Sequence, residues 1–366
     1  MLAYLKKEKV LCIAWILAIL SMFLICPDKE YIGYINVKVL ALLFCLMIVV
    51  KGFQNIGVFD VLIQKVFGKV GGSRRLSQIL VLICFFLSMI ITNDVALITF
   101  VPVAILTLQI CHQEKLMLQV IVLQTIAANL GSMFTPIGNP QNLYLFSISN
   151  MGIGEFFRIM FPFTVLSFLL LMAATYLIPD ERISIKIEEQ IESGEKKEFI
   201  VYSFLFVLNL LVVFRILSWV PALIITVMLI LLIKRGNLLK QVDYALLLTF
   251  VGFFIFVGNL GRISVFNEIL QQLIQGKEII VAAVFSQFLS NVPAALLLSG
   301  FTDNYTGLLI GTNIGGLGTI IASMASLISY KLYGQVEGAR RGMYLGVFTI
   351  YNVIGLGILL LSTMVF

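Results

Sequence analysis

Apolar runs of about 15 to 25 residues, separated by short polar breaks, make up most of this chain. A transmembrane helix needs about 20 mainly apolar residues. The pattern therefore predicts an all-α polytopic membrane protein, whose first apolar run is retained as a helix and not removed as a signal peptide. The predicted spans are residues 10–26, 37–56, 156–178, 198–216, 220–234, 243–262 and 343–364.

Two further stretches, residues 76–111 and 279–301, each contain a pair of shorter apolar runs that meet at a polar tip. The tips are Thr92-Asn93-Asp94 in the first stretch and Ser290-Asn291 in the second. Turn-forming polar residues at membrane depth favour a re-entrant hairpin, which enters and leaves on one side. Two full spans would give the same topology, so the distribution of charge does not separate these alternatives.

Two more apolar stretches, residues 116–148 and 305–330, are interrupted near their middles. The interrupting residues are Gly131, Pro136, Gly138 and Pro140 in the first stretch, and Gly311, Gly315, Gly316 and Gly318 in the second. Glycine permits unusual backbone angles and proline removes a helix hydrogen bond. Each stretch is therefore predicted to be a broken helix.

The order of span, hairpin, broken helix and span occurs twice along the chain. The two breaks align without a gap, and these pairs occupy equivalent positions: Asn129 and Asn313, Gly131 and Gly315, Thr135 and Thr319, Asn139 and Ser323. This pattern predicts an inverted-topology repeat, which is typical of secondary transporters. Residues 1–178 form the first repeat, 179–219 a cytoplasmic linker with a connecting span, and 220–366 the second repeat.

The basic residues orient the spans. With a cytoplasmic N-terminus, 18 of the 25 Lys and Arg residues lie inside and 6 lie outside, while Lys51 falls within a span. This asymmetry fits the positive-inside rule and predicts a multi-pass protein of the plasma membrane. The hydrophilic stretch 179–197 carries charges of both signs and is predicted to be a cytoplasmic connector that includes an amphipathic helix.

Composition narrows the functional classes. The chain is 60% hydrophobic and 12% charged, which excludes a soluble enzyme or a nucleic-acid-binding module. Its net charge of +6 is explained by Lys and Arg residues that concentrate in cytoplasmic loops. It has no phosphate-binding loop for ATP, so energy must come from an ion gradient. No cofactor is expected beyond Na⁺ or H⁺ as the coupling ion. The chain also lacks the clustered acids and histidines that a membrane-embedded lipid enzyme would need.

The polar breaks are the candidate binding regions. Helix backbone that unwinds within a membrane is tolerated where it lines a cavity or binds a ligand. Freed carbonyls and the oxygens of Asn, Ser and Thr suit Na⁺, whereas the N-termini of half-helices suit an anion. The predicted substrate- and ion-binding residues are Thr92, Asn93, Asp94, Asn129, Gly131, Ser132, Thr135, Gly138, Asn139, Asn142, Ser290, Asn291, Asn313, Gly315, Thr319 and Ser323. We expect Na⁺ at Asn93, Asn139, Asn291 and Ser323, with the substrate between the two regions.

Two charged residues within apolar sequence need an explanation. Asp94 is expected to bind a cation or take up a proton, since a carboxylate within a membrane is costly; alternatively, it caps the helix that starts at Val95. Lys51 has three interpretations. Its side chain snorkels to the membrane surface, pairs with Asp60, or contacts the substrate.

The sequences TNDVALITFVPVAI (residues 92–105) and NLGSMFTPIGNPQNL (residues 129–143) resemble the ion transporter superfamily. That group includes citrate carriers, divalent-anion/sodium symporters, arsenite permeases and a branch of sodium/proton antiporters. The resemblance extends from about residue 10 to residue 364. It implies a secondary transporter, often a homodimer, that moves a transport unit against a scaffold.

The symporters of this superfamily carry Ser-Asn-Thr at both tips. Here the tips read Thr92-Asn93-Asp94 and Ser290-Asn291-Val292. The first tip and its break are more similar to the arsenite permease and antiporter branches, and to uncharacterised bacterial members. We therefore expect a secondary active transporter of a carboxylate or of a metalloid or inorganic oxyanion, coupled to H⁺ or Na⁺. The alternative is an Na⁺/H⁺ antiporter that uses Asp94.

Overall fold

The computed structural model describes residues 9–58, 71–182 and 196–366, and within these ranges it contains eighteen helices and no β-strand. The first nine helices are α1 (Lys9–Leu24), α2 (Glu30–Tyr34), α3 (Val37–Asn55), α4 (Ser73–Ile91), α5 (Asn93–Ile110), α6 (Glu114–Ser132), α7 (Pro140–Ile148), α8 (Ile153–Tyr176) and α9 (Lys196–Val213). The others are α10 (Trp219–Leu232), α11 (Asn237–Lys240), α12 (Tyr244–Gly261), α13 (Ser264–Ile274), α14 (Glu278–Leu289), α15 (Asn291–Leu298), α16 (Tyr305–Ile314), α17 (Met324–Tyr333) and α18 (Arg341–Ser362).

Seven of these helices are long and apolar enough to cross a membrane: α3, α4, α5, α6, α8, α12 and α18. Their exposed side chains are largely hydrophobic; on α18, for example, Ile350, Val353 and Ile354 are each more than half exposed. A soluble protein would bury most of such side chains, whereas lipid accepts them without cost. The prediction of an all-α polytopic membrane protein is confirmed.

The packing is organised around α6, which is almost wholly buried, while α18 lies at the periphery. The α4–α5 hairpin packs against α6, and the α14–α15 hairpin packs in the same way against α16. A second group forms around α3, which contacts α9 and α10, and around α12, which contacts α1. The polar breaks lie in the first group, which consists of α6, α16 and the two hairpins packed against them.

The two hairpins turn at a single residue each, not at an Asn-Asp turn. Thr92 has φ 73° and ψ 151°, and Ser290 has φ 78° and ψ 152°. The next helix then starts directly at Asn93 or Asn291, so the interpretation of Asp94 as an N-cap of a helix starting at Val95 is wrong. The oxygen of the Asn93 side chain accepts the backbone N–H of Asp94 instead, at 3.0 Å.

The hairpins differ in length, which bears on the two alternatives left open, a re-entrant pair or two full spans. The arms of the first have 19 and 18 residues, or about 28 and 27 Å at 1.5 Å per residue, so each is long enough to cross a membrane. The arms of the second have 12 and 8 residues and are too short. The polar start of α4, Ser73 to Arg75, is helical as well, and this extends the first arm beyond its apolar run.

Both broken helices are present. Helix α6 ends at Ser132 and α7 begins at Pro140, while α16 ends at Ile314 and α17 begins at Met324. Gly131, however, lies inside α6 and does not interrupt it. Gly311 likewise lies inside α16 and does not interrupt that helix. It is needed for close packing, because a Cβ atom there would lie 2.5 Å from the carbonyl oxygen of Ile279 on α14.

Three short helices were not predicted from the apolar runs: α2, α11 and α13. Helix α13 is amphipathic, with Val265, Phe266 and Ile269 exposed. Some predictions fall outside the described residues, namely the pairing of Lys51 with Asp60, the helix of the linker within 183–195, and the placement of those cytoplasmic Lys and Arg residues that lie in 1–8, 59–70 and 183–195. The domain boundaries, the inverted orientation of the repeats and the cytoplasmic N-terminus stay predictions.

Replacing Gly315 by Ala should destabilise the fold. The added Cβ would lie 2.7 Å from the Ala283 Cα atom and 2.9 Å from the Ser286 Cβ atom, so α16 would have to move away from α14. Overpacking of this kind costs about 1–3 kcal/mol. We expect a lower thermal midpoint in detergent for Gly315→Ala. Gly357→Ala is the control, because its Cβ would meet no atom within 4 Å; equal midpoints for the two variants would contradict this packing.

Candidate substrate and ion site

The ends of the two broken helices meet at a cluster of buried amides and hydroxyls. Asn129 lies near the end of α6 and Asn313 near the end of α16, while Asn139 and Ser323 are the N-cap residues of α7 and α17. All four side chains are buried. The structure thus brings together residues that are up to 194 positions apart in the chain.

Each broken helix is bound by the other across this cluster. The Asn139 amide donates to the Oδ1 atom of Asn313 at 3.0 Å, and the Asn313 amide donates to the Oδ1 atom of Asn142 at 2.6 Å. The end of α16 is therefore fastened to the start of α7.

The equivalent contacts recur at the other crossing. The Ser323 hydroxyl donates to the Oδ1 atom of Asn129 at 2.9 Å, and the Asn129 amide donates to the Ser326 hydroxyl at 3.2 Å. Asn129 corresponds to Asn313, and Ser323 and Ser326 correspond to Asn139 and Asn142. Such equivalence is what the predicted repeat requires.

The hairpin tips are attached to the breaks in the same manner. The backbone N–H of Asn93 donates to the carbonyl oxygen of Gly138 at 3.1 Å, and that of Asn291 donates to the carbonyl oxygen of Ala322 at 2.9 Å. In addition, the Asn93 amide donates to the Oδ1 atom of Asn129 at 3.1 Å. These bonds satisfy backbone and side-chain groups that would otherwise be stranded in an apolar interior.

Several predicted binding residues serve this scaffold. The Thr135 hydroxyl donates to the carbonyl of Met89, and the Thr319 hydroxyl donates to the carbonyl of Gln287 at 2.9 Å. The Ser132 hydroxyl donates to the carbonyl of Asn129 at 2.9 Å. In these contacts the hydroxyls hold each break against its hairpin or its own helix.

The glycines of the first break permit close approach of the backbone. A Cβ atom on Gly131 would lie 2.0 Å from the carbonyl oxygen of Phe85, and one on Gly138 would lie 2.1 Å from that of Ser132. Gly131 therefore lets α6 pack directly on α4. Gly138 lets the unwound segment fold back over the end of α6.

A cavity of about 300 Å³ lies next to the first tip. Three of the predicted residues, Thr92, Asp94 and Asn139, line it, together with the first residues of both half-helices, Pro140 and Met324. Its opposite wall comes from α3 and the start of α12. Most of its lining is apolar.

Three charged side chains line this cavity among the described residues: Lys51 from α3, Asp94 from α5 and Asp243 from the start of α12. Asp243 interacts electrostatically with both Lys51 and Asp94. The Asp243 carboxylate also accepts the backbone N–H of Leu246 at 2.9 Å. Within the described part of the chain, no carboxylate lies within 4.0 Å of the Lys51 ammonium, and the Asp94 carboxylate accepts no hydrogen bond.

The second tip does not reach this cavity. Ser290, Asn291, Asn313 and Ser323 are absent from its lining. The oxygens expected to bind Na⁺ already accept or donate hydrogen bonds: those of Asn139 and Asn291 accept the N–H groups of Asn142 and Val292. Sodium coordination at these residues stays a prediction.

Two residues of the site escaped the sequence analysis. Asp243 has the sequence signal of a helix N-cap, and nothing in the sequence indicates that it faces Asp94. Gln287 holds the second break: its amide donates to the carbonyls of Gly315 at 3.0 Å and Leu317 at 2.9 Å, and its oxygen accepts the N–H of Thr319 at 2.8 Å. The equivalent residue in the first hairpin is Met89, so the repeat offered no signal for Gln287.

Comparisons with known proteins agree with this architecture. Residues 5–304 match the family model described as citrate transporter. The chain belongs to the citrate transporter family.

Relatives of this family member extend over most of its length. It is 34% identical over 339 residues to an uncharacterized transporter, MJ0456, of Methanocaldococcus jannaschii. This alignment covers 92% of each of the two chains. It is 30% identical over 321 residues to the inner membrane protein YbiR of Escherichia coli, covering 86% of this chain and 84% of YbiR. A 46 kDa membrane protein of Mycobacterium leprae is 24% identical over 347 residues. The resemblance to the ion transporter superfamily is confirmed, and this citrate transporter family member is a multi-pass membrane transporter.

The reciprocal contacts predict equal effects of two substitutions. Asn129→Ala removes the partner of Asn93, Ser323 and Ser326, and Asn313→Ala removes the partner of Asn139 and Asn142. A buried polar group left unpaired costs about 1–3 kcal/mol. We therefore expect both variants to lower the thermal midpoint in detergent by similar amounts.

Asn150→Ala is the matched control for this pair, because Asn150 is exposed between α7 and α8. It should unfold like the unsubstituted protein. If either buried variant matched Asn150→Ala, the amide cluster would not be holding the two broken helices together.

Proposed function

We propose that this transporter is a secondary active carrier of a small anion, a carboxylate or an inorganic or metalloid oxyanion, coupled to H⁺ or Na⁺. One observation carries the proposal: the first residues of both half-helices, Pro140 and Met324, border one cavity together with Lys51. Helix N-termini carry partial positive charge and attract anions. Lys51 and the two termini attract an anion, whereas the carboxylates of Asp94 and Asp243, which line the same cavity, oppose it.

Asp94 supplies the coupling in this proposal. Two like charges 4 Å apart repel each other by about 4 kcal/mol at an effective dielectric constant of 20, so an ionised Asp94 opposes anion binding. Protonation of Asp94, or Na⁺ bound to it, removes this repulsion. The anion then binds well only when the coupling ion has bound, and this is the thermodynamic requirement for coupled transport.

Na⁺/H⁺ antiport is the second candidate. It is favoured by the Asp94 carboxylate, which lines the cavity beside Thr92 and Asn139. A carboxylate with neighbouring hydroxyl and amide oxygens suits Na⁺ and a proton in alternation. This carrier would exchange the two cations with no anion present.

Transport by purified protein in liposomes distinguishes the candidates. Labelled citrate, succinate and sulfate are offered under an imposed H⁺ or Na⁺ gradient, and accumulation of one of them is expected. Ionophores that collapse both gradients should stop it. Uptake that continued unchanged without either gradient would contradict coupling, and proton movement driven by Na⁺ alone would support antiport.

Asp94→Asn should separate binding from coupling. The neutral amide resembles the protonated acid, so the variant should bind the anion at any pH or Na⁺ concentration but should not accumulate it. Exchange of labelled for unlabelled anion should persist while gradient-driven uptake falls at least tenfold. Asp303→Asn is the control, since Asp303 is exposed in the loop between α15 and α16. Full gradient-driven uptake by Asp94→Asn would contradict a coupling role.

A further inference from the structure

We infer that Lys51 binds the anionic group of the substrate while Asp94 binds the coupling cation, so that both ions occupy one cavity and are carried together. This inference rests on the proposed function, in which Asp94 already binds the coupling cation, and adds to it the residue that anchors the anion.

The position of Lys51 is the first argument. It lies on α3, where its neighbours Val50 and Gly52 are buried, and its side chain is half-buried. It lines the cavity beside the apolar residues Leu46, Met47 and Val50. A lysine that snorkels extends along the outside of its helix to the membrane surface. Lys51 instead lines a cavity that Asp94 also lines.

The distribution of partners is the second argument. Asp243 has a local partner, because its carboxylate accepts the N–H of Leu246 at the N-terminus of α12. It therefore does not depend on Lys51 for stabilisation. Lys51 and Asp94 make no ion pair within 4.0 Å among the described residues. A half-buried ammonium and a half-buried carboxylate without close partners are both costly unless a ligand compensates their charges.

The charge balance is the third argument. The lining provides one positive and two negative side chains, and both half-helix N-termini add partial positive charge. A bound anion compensates Lys51 and the helix termini, while a bound proton or Na⁺ compensates Asp94. The Asp243 carboxylate keeps its backbone partner Leu246 in every case. Of the other two charges, Lys51 and Asp94, binding both ions matches each, whereas binding either ion alone leaves one unmatched. This favours joint binding over alternating exchange.

The cavity size agrees with such an occupant. A volume of about 300 Å³ has room for a small anion and one cation. Binding pockets for small molecules start at about this volume. The apolar residues that form most of the lining exclude water and so strengthen the interactions of the few charges present.

Substitution at position 51 tests the inference. Lys51→Met keeps the length of the side chain without its charge, and Lys51→Arg keeps the charge. Lys38→Met is the matched control, since Lys38 is a half-buried lysine at the other end of the same helix and does not line the cavity. Stabilisation of the purified protein against heat is measured with citrate, succinate and sulfate, at several Na⁺ concentrations and pH values.

We expect Lys51→Met to weaken the apparent affinity for the stabilising anion at least tenfold, with Lys51→Arg within about threefold of the unsubstituted protein and Lys38→Met unchanged. Stabilisation by Na⁺ or by low pH in the absence of the anion should persist in Lys51→Met and be lost in Asp94→Asn. In the unsubstituted protein the cation should raise the affinity for the anion, as joint binding requires.

Three results would overturn the inference. Unchanged anion affinity in Lys51→Met would show that another group binds the anion. If Asp60→Asn reproduced the loss seen in Lys51→Met, Lys51 would be the structural partner of Asp60. If the cation lowered anion affinity, the ions would compete and transport would be exchange. A protein that bound none of the three anions but still exchanged Na⁺ for H⁺ would instead contradict the proposed function itself, and the inference with it.

Discussion

Unwinding a helix inside an apolar medium strands backbone N–H and C=O groups, and this cost shapes the centre of the molecule. Asn142 illustrates how it is met: its amide lies within hydrogen-bonding distance of the carbonyls of Met133 at 3.2 Å and Thr135 at 3.0 Å. Gln287 does the same for the second break. The buried amides are therefore first of all substitutes for helical hydrogen bonds, and the cavity lies next to the structure that they stabilise.

The same bonds tie the two broken helices into one unit. Because Asn129 binds α17 and Asn313 binds α7, neither break can shift without disturbing the other. The cavity lies on the edge of this unit, between the first hairpin tip and the group formed by α3 and α12. Its charged residues come from both sides of that boundary, so a relative displacement would alter the separation of Lys51 and Asp94.

Asp94 is the main chemical difference between the two hairpin tips. Its equivalent at the second tip is Val292, which is buried and needs no partner. A carboxylate at the first tip is a cost that the fold itself does not require, since the turn is made by Thr92 and the next N–H is bound by Asn93. This asymmetry places a carboxylate at the first of two otherwise equivalent tips, which is where the proposed function assigns the coupling ion.

The sequence by itself determined the helical membrane class and the positions of both tips and both breaks, because apolar run length and Gly, Pro and Asn placement act locally. It failed at Gly311, where glycine serves packing and does not break the helix, and at the first hairpin, whose polar ends continue as helix. Only the tertiary structure decided that Asn129 and Asn313 each bind the other broken helix and that Asp243 lines one cavity with Lys51. Those relations join residues nearly 200 positions apart, and no local pattern specifies which distant side chain will complete a hydrogen bond or share a cavity.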